Sequence, residues 1–253
     1  MDLHLDGKTA LVTGGSRGLG RAICLGLAAE GARVVVNYRQ SRSQAVALAE
    51  EITSATGCDA LPVAGDVSEP ADVVRMFDEA EATFGTLDIL VNSAGVWPTS
   101  YVKDMTEEEW QRTLAVNLTG PFLTCREAVR RWLGAGRTGR IVNVGSQAAF
   151  HGSTSGHAHY AAAKAGLVTF TVSLAREVAS QGIYVNGVAP GMMDTDMSRE
   201  VLGEDASRYL ERIPLGRIGE PAEVANVVVF LASDRASYMT GATVDATGGM
   251  LMR

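Results

Sequence analysis

The chain is poor in cysteine. Its 253 residues include three, Cys24, Cys58 and Cys125, odd in number and far apart. That spacing builds no disulfide framework and no zinc site, and free thiols in a reducing compartment are the simpler reading. Basic charge is also scarce, with a formal net charge of −7. A nucleic-acid binder normally carries a basic surface, so no nucleic-acid partner is expected. No apolar run approaches the roughly 18 residues of a membrane span, so no membrane partner is expected either. The opening MDLHLDGKTALVTGG has no basic segment followed by an apolar one. A signal peptide is therefore not expected, and a cytoplasmic location is. Low-complexity tracts are missing too, which argues against long disorder. What is present, 46% hydrophobic and 20% charged residues, is the make-up of a soluble globular chain.

Short apolar runs alternate with longer amphipathic stretches. The runs at 9–13, 33–37, 60–64, 89–92, 141–144, 184–188 and 243–245 are bounded by Gly, Asp or Asn, as buried parallel strands tend to be. Helices are expected over 18–30, 44–54, 70–84, 107–133, 160–180 and 221–232. Strands alternating with helices of this length predict βαβ units, a parallel sheet and helices on both faces. No linker or composition shift marks a second domain, so residues 1–253 are expected to form one. The alternation breaks only at 191–213, a stretch longer than a simple connection and hence a candidate lid.

The first strand ends in a glycine-rich turn, Thr13-Gly14-Gly15-Ser16-Arg17-Gly18-Leu19-Gly20. Glycines let a backbone approach a pyrophosphate, and the helix that opens there supplies free N–H groups and positive potential. The spacing is Thr-Gly-x-x-x-Gly-x-Gly, not the commoner Gly-x-Gly-x-x-Gly. After the second strand an NAD site usually places an acid for the ribose hydroxyl. Here the run is Asn37-Tyr38-Arg39-Gln40-Ser41-Arg42, with no acid. Arg17 and Arg39 can pair with a 2′-phosphate by charge and fork geometry, or can be solvated loop residues. NADP(H) is the expected cofactor, with NAD(H) use left open. Gly65-Asp66-Val67 and Asn92-Ser93-Ala94-Gly95 follow the third and fourth strands, where such sheets bind ligands. Asp66 can accept from an adenine amino group or cap the next helix.

After the fifth strand comes IVNVGSQAAFHGSTSGHAHYAAAKAGL. Tyr160 and Lys164 are four apart at a helix start and so share a face. A free tyrosine has a pKa near 10, and a neighbouring ammonium lowers it toward a useful range. Ser146, at the strand end, can hydrogen-bond a substrate carbonyl. His151, His157 and His159 crowd the intervening loop. No carboxylate or cysteine joins them nearby, so no metal is expected and they are read as bordering the substrate mouth.

Thr13-Gly14-x-x-x-Gly18-x-Gly20, Asp66, Asn92-x-Ala94-Gly95, Asn117, Ser146, Tyr160-x-x-x-Lys164 and Pro190-Gly191 together resemble the motif series of the short-chain dehydrogenases/reductases, in order and over almost the whole chain. One departure is Ser93, where the family more often has a second Asn. The resemblance implies a single doubly wound Rossmann-like domain with a mostly parallel seven-stranded sheet. It implies a catalytic set of Asn117, Ser146, Tyr160 and Lys164. Tyr160 would exchange a proton with the carbonyl or alcohol, and Ser146 would polarise the carbonyl. Lys164 would bind the nicotinamide ribose and tune Tyr160. Asn117 would hold a helix kink and a proton-relaying water; its plainer alternative is a solvent-facing mid-helix residue. The cofactor would meet Thr13, Gly14, Ser16, Arg17, Gly18, Leu19, Gly20, Asn37, Tyr38, Arg39, Asp66, Val67, Asn92, Ala94, Gly95, Tyr160, Lys164, Pro190, Gly191 and Thr195.

Within the family the chain is most similar to the 3-oxoacyl-acyl-carrier-protein reductases, through YAAAKAGLVTFTVSLAREVASQGIYVNGVAPG, DTDM and the C-terminal Tyr238-Met239-Thr240-Gly241. The implied function is NADPH-dependent reduction of a ketone, with a 3-oxoacyl thioester as first substrate class and an acyl carrier protein as a candidate partner. Arg137 matches one basic position of such docking surfaces, whereas Gln181 replaces the other. Asn37-Tyr38-Arg39 resembles the glucose dehydrogenases, so a sugar or alcohol dehydrogenase, or a broad carbonyl reductase, is the alternative. A non-catalytic dinucleotide-binding regulator is a third. Homotetramers are implied through the helices near 107–133 and 160–180, the last strand and the apolar tail 242–253.

Overall fold

The computed structural model describes residues 2–154, 156–195, 198 and 210–252. Seven strands form one sheet: β1 (Thr9–Thr13), β2 (Arg33–Tyr38), β3 (Ala60–Ala64), β4 (Ile89–Asn92), β5 (Gly139–Val144), β6 (Ile183–Pro190) and β7 (Thr243–Ala246). Their order is β3-β2-β1-β4-β5-β6-β7, and every pair is parallel. The chain winds outward from β1 to one edge and then returns past β1 to the other. The carboxyl ends of β1 and β4 therefore diverge, and a crevice opens between the loops that follow them.

Helices cover both faces: α1 (Gly18–Ala29), α2 (Arg42–Thr56), α3 (Pro70–Phe84), α4 (Glu107–Leu114), α5 (Gly120–Gly134), α6 (Ala148–His151), α7 (Ala158–Val178) and α8 (Pro221–Leu231). The central strands are buried on both sides, as in the unbroken burial of β1 and β4. This is why they read as continuous apolar runs. One core packs α1, α2 and α8 around Val12, Val34, Val36 and Val91. The other packs α3, α5 and α7 around Leu11, Val35, Leu90 and Ile141. Alternate residues of a strand thus feed opposite cores.

Three expectations about elements need correcting. The helix expected over 107–133 is interrupted by a π-helical turn, Ala115–Thr119. Pro121 has no N–H to return to the Asn117 carbonyl, and the Gly120 N–H bonds back to Ala115 instead, one residue wider than an α turn. Strand β5 starts at Gly139, two residues early, where the ring of buried Trp132 leaves no room for a side chain. Strand β6 runs on to Pro190, which can sit there because it ends the strand. The short α6 was not anticipated. In the candidate lid, residues 196, 197 and 199–209 lie outside the described residues; so do Asp196 and Met197 of DTDM, and Arg253 of the tail.

Among the described residues no helix is long and apolar enough to cross a membrane. The three cysteines are free thiols.

Candidate active site

A cleft of about 580 Å³ runs along the carboxyl ends of β1, β2, β4, β5 and β6. One end is made of backbone. Gly14 has φ +63°, and a Cβ there would stand 2.8 Å from the Ala94 Cα. A Cβ on Gly20 would run into the Gly14 carbonyl. Only glycine lets the turn close this tightly against the β4 loop. The helix that follows is left open: Arg17 occupies its N-cap with no side-chain cap bond, and its first turn holds no acid. Its free N–H groups and positive end face the cleft. By contrast, α4 closes its own N-terminus with a Thr106–Glu109 capping box.

The expected cofactor residues divide into two layers. Gly14, Ser16, Arg17, Gly18, Leu19, Gly20, Asn37, Tyr38, Arg39, Asp66, Val67, Ala94, Gly95, Pro190, Gly191 and Thr195 line the cleft. Thr13 and Asn92 sit behind it. The Thr13 hydroxyl accepts from the Ser93 and Ala94 N–H groups at 3.0 and 3.1 Å, fixing the β4 loop. The Asn92 amide turns inward, donating to Asn143 at 2.9 Å and accepting from Thr124 at 2.6 Å. Asn37 does both jobs: its Oδ1 accepts from the Gly14 N–H at 3.2 Å and its Nδ2 donates to the Gly65 carbonyl at 3.1 Å.

Arg39 reaches across this end to Asp66, 3.4 Å away, and Arg112 approaches the same carboxylate oxygen at 3.5 Å. Burial by itself would raise the Asp66 carboxyl, but the Ser68 hydroxyl and N–H and the Arg39 charge outweigh it and hold it below the ordinary value. Asp66 is not the helix cap, since Glu69 holds that place before α3. Its other oxygen accepts from Ser68 in a local turn instead.

At the far end Ser146, Tyr160 and Lys164 line the cleft together. Ser146 leaves β5 and accepts from the Ala148 N–H at 3.1 Å. Tyr160 and Lys164 stand one turn apart on α7, with the ammonium 5.8 Å from the phenol ring centre. Burial lowers Lys164 to about 8, and its Nζ donates to the Val144 carbonyl at 2.7 Å. Burial also pushes the Tyr160 phenol up, against a smaller downward pull from the Ser146 hydroxyl. The expectation that the ammonium lowers this phenol is therefore not met here. The charge is held by Val144, and desolvation of the phenolate dominates. Asn117, fully buried in the π turn, donates to the Val96 and Thr113 carbonyls at 3.0 Å each. The solvent-facing alternative is thereby excluded.

Of the loop histidines, His151 lines the cleft. His157 is buried, stacks on Trp97 at 4.6 Å and contacts the Pro98 carbonyl at 2.9 Å. His159 is fully buried. His157 and His159 thus serve packing more than the mouth. Among the described residues no three His, Cys, Asp or Glu side chains gather as metal ligands. Sequence reading missed Trp97, Gln147 and Thr154, which also line the cleft. No motif marks them, because their neighbourhood is created by the packing of the β4 and β5 loops.

A glycine cradle under an open helix end, beside a Ser, Tyr and Lys set, defines a nicotinamide-dinucleotide oxidoreductase site. A family profile described as "Enoyl-(Acyl carrier protein) reductase" matches residues 14–251. The 3-oxoacyl-(acyl-carrier-protein) reductase FabG of Staphylococcus aureus (strain Mu50) is 44% identical over 97% of this chain and 98% of its own. Its counterpart from Escherichia coli K12 is 43% identical over 99% of this chain and 100% of its own. A crystal structure of a short-chain type dehydrogenase/reductase from Mycobacterium marinum superimposes with a TM-score of 0.94 at 36% identity, covering 100% of this chain and 98% of that one. The chain belongs to the short-chain dehydrogenase/reductase family and is an oxidoreductase acting on carbonyl and hydroxyl groups.

Proposed function

We propose that the protein reduces a ketone to a secondary alcohol with NADPH, and that a 3-oxoacyl thioester is its first substrate class. The observation that carries the reading is the meeting of Ser146, Tyr160 and Lys164 at one end of a cleft whose other end is a glycine cradle. The substrate class rests on the relatives' names, which are those of 3-oxoacyl-(acyl-carrier-protein) reductases.

The bound dinucleotide would supply the hydride. The protein's task is to meet the charge that grows on the carbonyl oxygen. Tyr160 donates the proton, and Ser146 donates a hydrogen bond. The Tyr160 phenol, pushed up by burial, is protonated near neutral pH and so carries the proton that reduction needs. Lys164, lowered to about 8, is close enough to neutrality to pass protons toward Tyr160. Asn117 acts as a positioning residue, because its side chain holds the π turn to Val96.

NADPH is preferred over NADH because the β2 end offers Arg39 and no acid, and Arg17 lines the same cleft. Arg39 must exchange Asp66 for the 2′-phosphate, and Arg112 remains to hold that carboxylate. The candidate lid is supported by its described flanks, since Met192 and Arg212 line the cleft. Homotetramers are supported by half-exposed Phe122 on α5 and by Tyr238, wholly exposed before edge strand β7. Free thiols fit a cytoplasmic site. Docking of an acyl carrier protein through Arg137 would compete with the 2.9 Å pair that this residue makes with Asp88.

The test is NADPH consumption with an acetoacetyl thioester, beside the same assay with NADH. Turnover with NADPH is expected. No reduction of any ketone or thioester would overturn the reading.

A further inference from the structure

Beyond Ser146 and Tyr160, three residues of the cleft wall carry polar atoms that are buried and have no hydrogen-bond partner: Trp97 Nε1, Gln147 Oε1 and Thr154 Oγ1. Leaving such an atom unpaired costs about 1–3 kcal/mol, so a ligand in the cleft that pairs with it is favoured. Trp97 Nε1 and Thr154 Oγ1 can each donate a hydrogen bond, whereas the orphaned Gln147 Oε1 can accept one from a hydroxyl.

They come from separate segments, the β4 loop, the turn after β5 and the stretch before α7. All three line the cavity that holds the catalytic phenol. Trp97 lies 6.1 Å from the Tyr160 ring, centre to centre. It is also held in place. Its ring stacks on His157 at 4.6 Å, His157 contacts the Pro98 carbonyl at 2.9 Å, and the Ser100 N–H donates to Gly156 at 2.8 Å. The indole is a donor fixed in advance, which is how specificity is built without a cost of ordering.

We propose that Trp97, Gln147 and Thr154 form a specificity collar that reads a second oxygen close to the reacting ketone. The inference rests on the ketone-reductase reading of the same cleft and adds the substrate feature that it selects. The matching chemistry is a ketone with another hydrogen-bonding oxygen two or three bonds away. Two sources offer it: the thioester carbonyl of a 3-oxoacyl group, or a hydroxyl of a polyhydroxylated ketone. A ketone flanked by hydrocarbon alone leaves the collar unpaired and is rejected. Polar sites discriminate strongly against substrates that lack the partner group.

The experiment compares kcat/KM for S-acetoacetyl-N-acetylcysteamine, 1,3-dihydroxyacetone and butan-2-one, with NADPH saturating. The variants are Trp97→Phe, Gln147→Leu and Thr154→Val. Wild-type protein is expected to favour at least one oxygen-bearing ketone over butan-2-one by about a hundredfold or more, and each variant to cut that ratio about tenfold. Whichever oxygen-bearing ketone loses more identifies the source. Calorimetric titration of the same ketones into NADPH-saturated Tyr160→Phe protein reads affinity without turnover and should show the same order. Equal use of butan-2-one by the wild type, or ratios unmoved in all three variants, would overturn the collar while leaving the reductase reading intact. Absence of turnover with every ketone would instead remove the reading on which it rests.

Discussion

The two ends of the cleft are built on different principles. The dinucleotide end is backbone: glycines at 14, 18 and 20, an uncapped helix terminus and a buried Asn37 that pins the turn. Its turn is written in eight consecutive residues, 13–20, and is held from outside by Asn37 and the β4 loop. The substrate end is side chain: Ser146 after β5, Tyr160 and Lys164 on α7, Trp97 from the β4 loop, and Asn117 from a π turn. The first end presents backbone N–H groups and an open helix terminus, which suit an anionic group. The second gathers polar side chains that are buried, which makes each one consequential.

The sharpest way to separate the two ends is Tyr160→Phe. It should lower ketone reduction by about 10³-fold, in the range expected for loss of a general acid. NADPH affinity, read by fluorescence titration, should hardly change. Substantial remaining turnover would move the proton donor elsewhere, with His151, which lines the cleft, the first suspect.

Arg39→Asp tests the other end. It should weaken NADPH binding by about ten- to hundredfold, the worth of a charged hydrogen bond or two, and spare NADH. Wild-type protein using NADH as well as NADPH would defeat the arginine argument.

Gly14→Ala puts a Cβ against Ala94 in a backbone conformation that suits glycine. A loss of about 1–3 kcal/mol is expected, visible as a lower Tm, together with weaker NADPH binding. An unchanged melting curve would mean that the β4 loop yields easily.

A further comparison concerns Lys164 and pH. Its folded pKa, about 8, lies below that of the unfolded chain. Below about 8 the folded protein carries a buried charge at a cost. Between about 8 and the ordinary lysine value of about 10.4 the unfolded chain binds more protons, so stability should rise with pH across that window. Lys164→Met should remove this rise, and at pH 7 should melt no lower than wild type while losing activity. A Tm that falls at pH 7 would show the bond to Val144 to be worth more than the burial costs.

Much of the frame was legible. The seven strands were placed to within three residues at every end because each is a buried parallel run bounded by turn formers. The glycine turn was legible because close backbone approach leaves no other residue type. The helix over 107–133 was misread because Asn117 and Pro121 act through an absent N–H and a side-chain bond to Val96, neither of which disturbs the apolar periodicity. The upward push on the Tyr160 phenol was not legible, because the water it loses is set by how the β5 turn and α7 pack.

The sequence by itself therefore determined the alternating elements, the dinucleotide turn and the Tyr160–Lys164 pair, since each depends on spacing within a few residues. Only the tertiary structure decided that Arg39 faces Asp66, that Thr13 and Asn92 stand behind the cleft, and that Trp97, Gln147 and Thr154 share a wall. Those relations join segments up to tens of residues apart. They depend on how much water each side chain loses on packing, which no local pattern records.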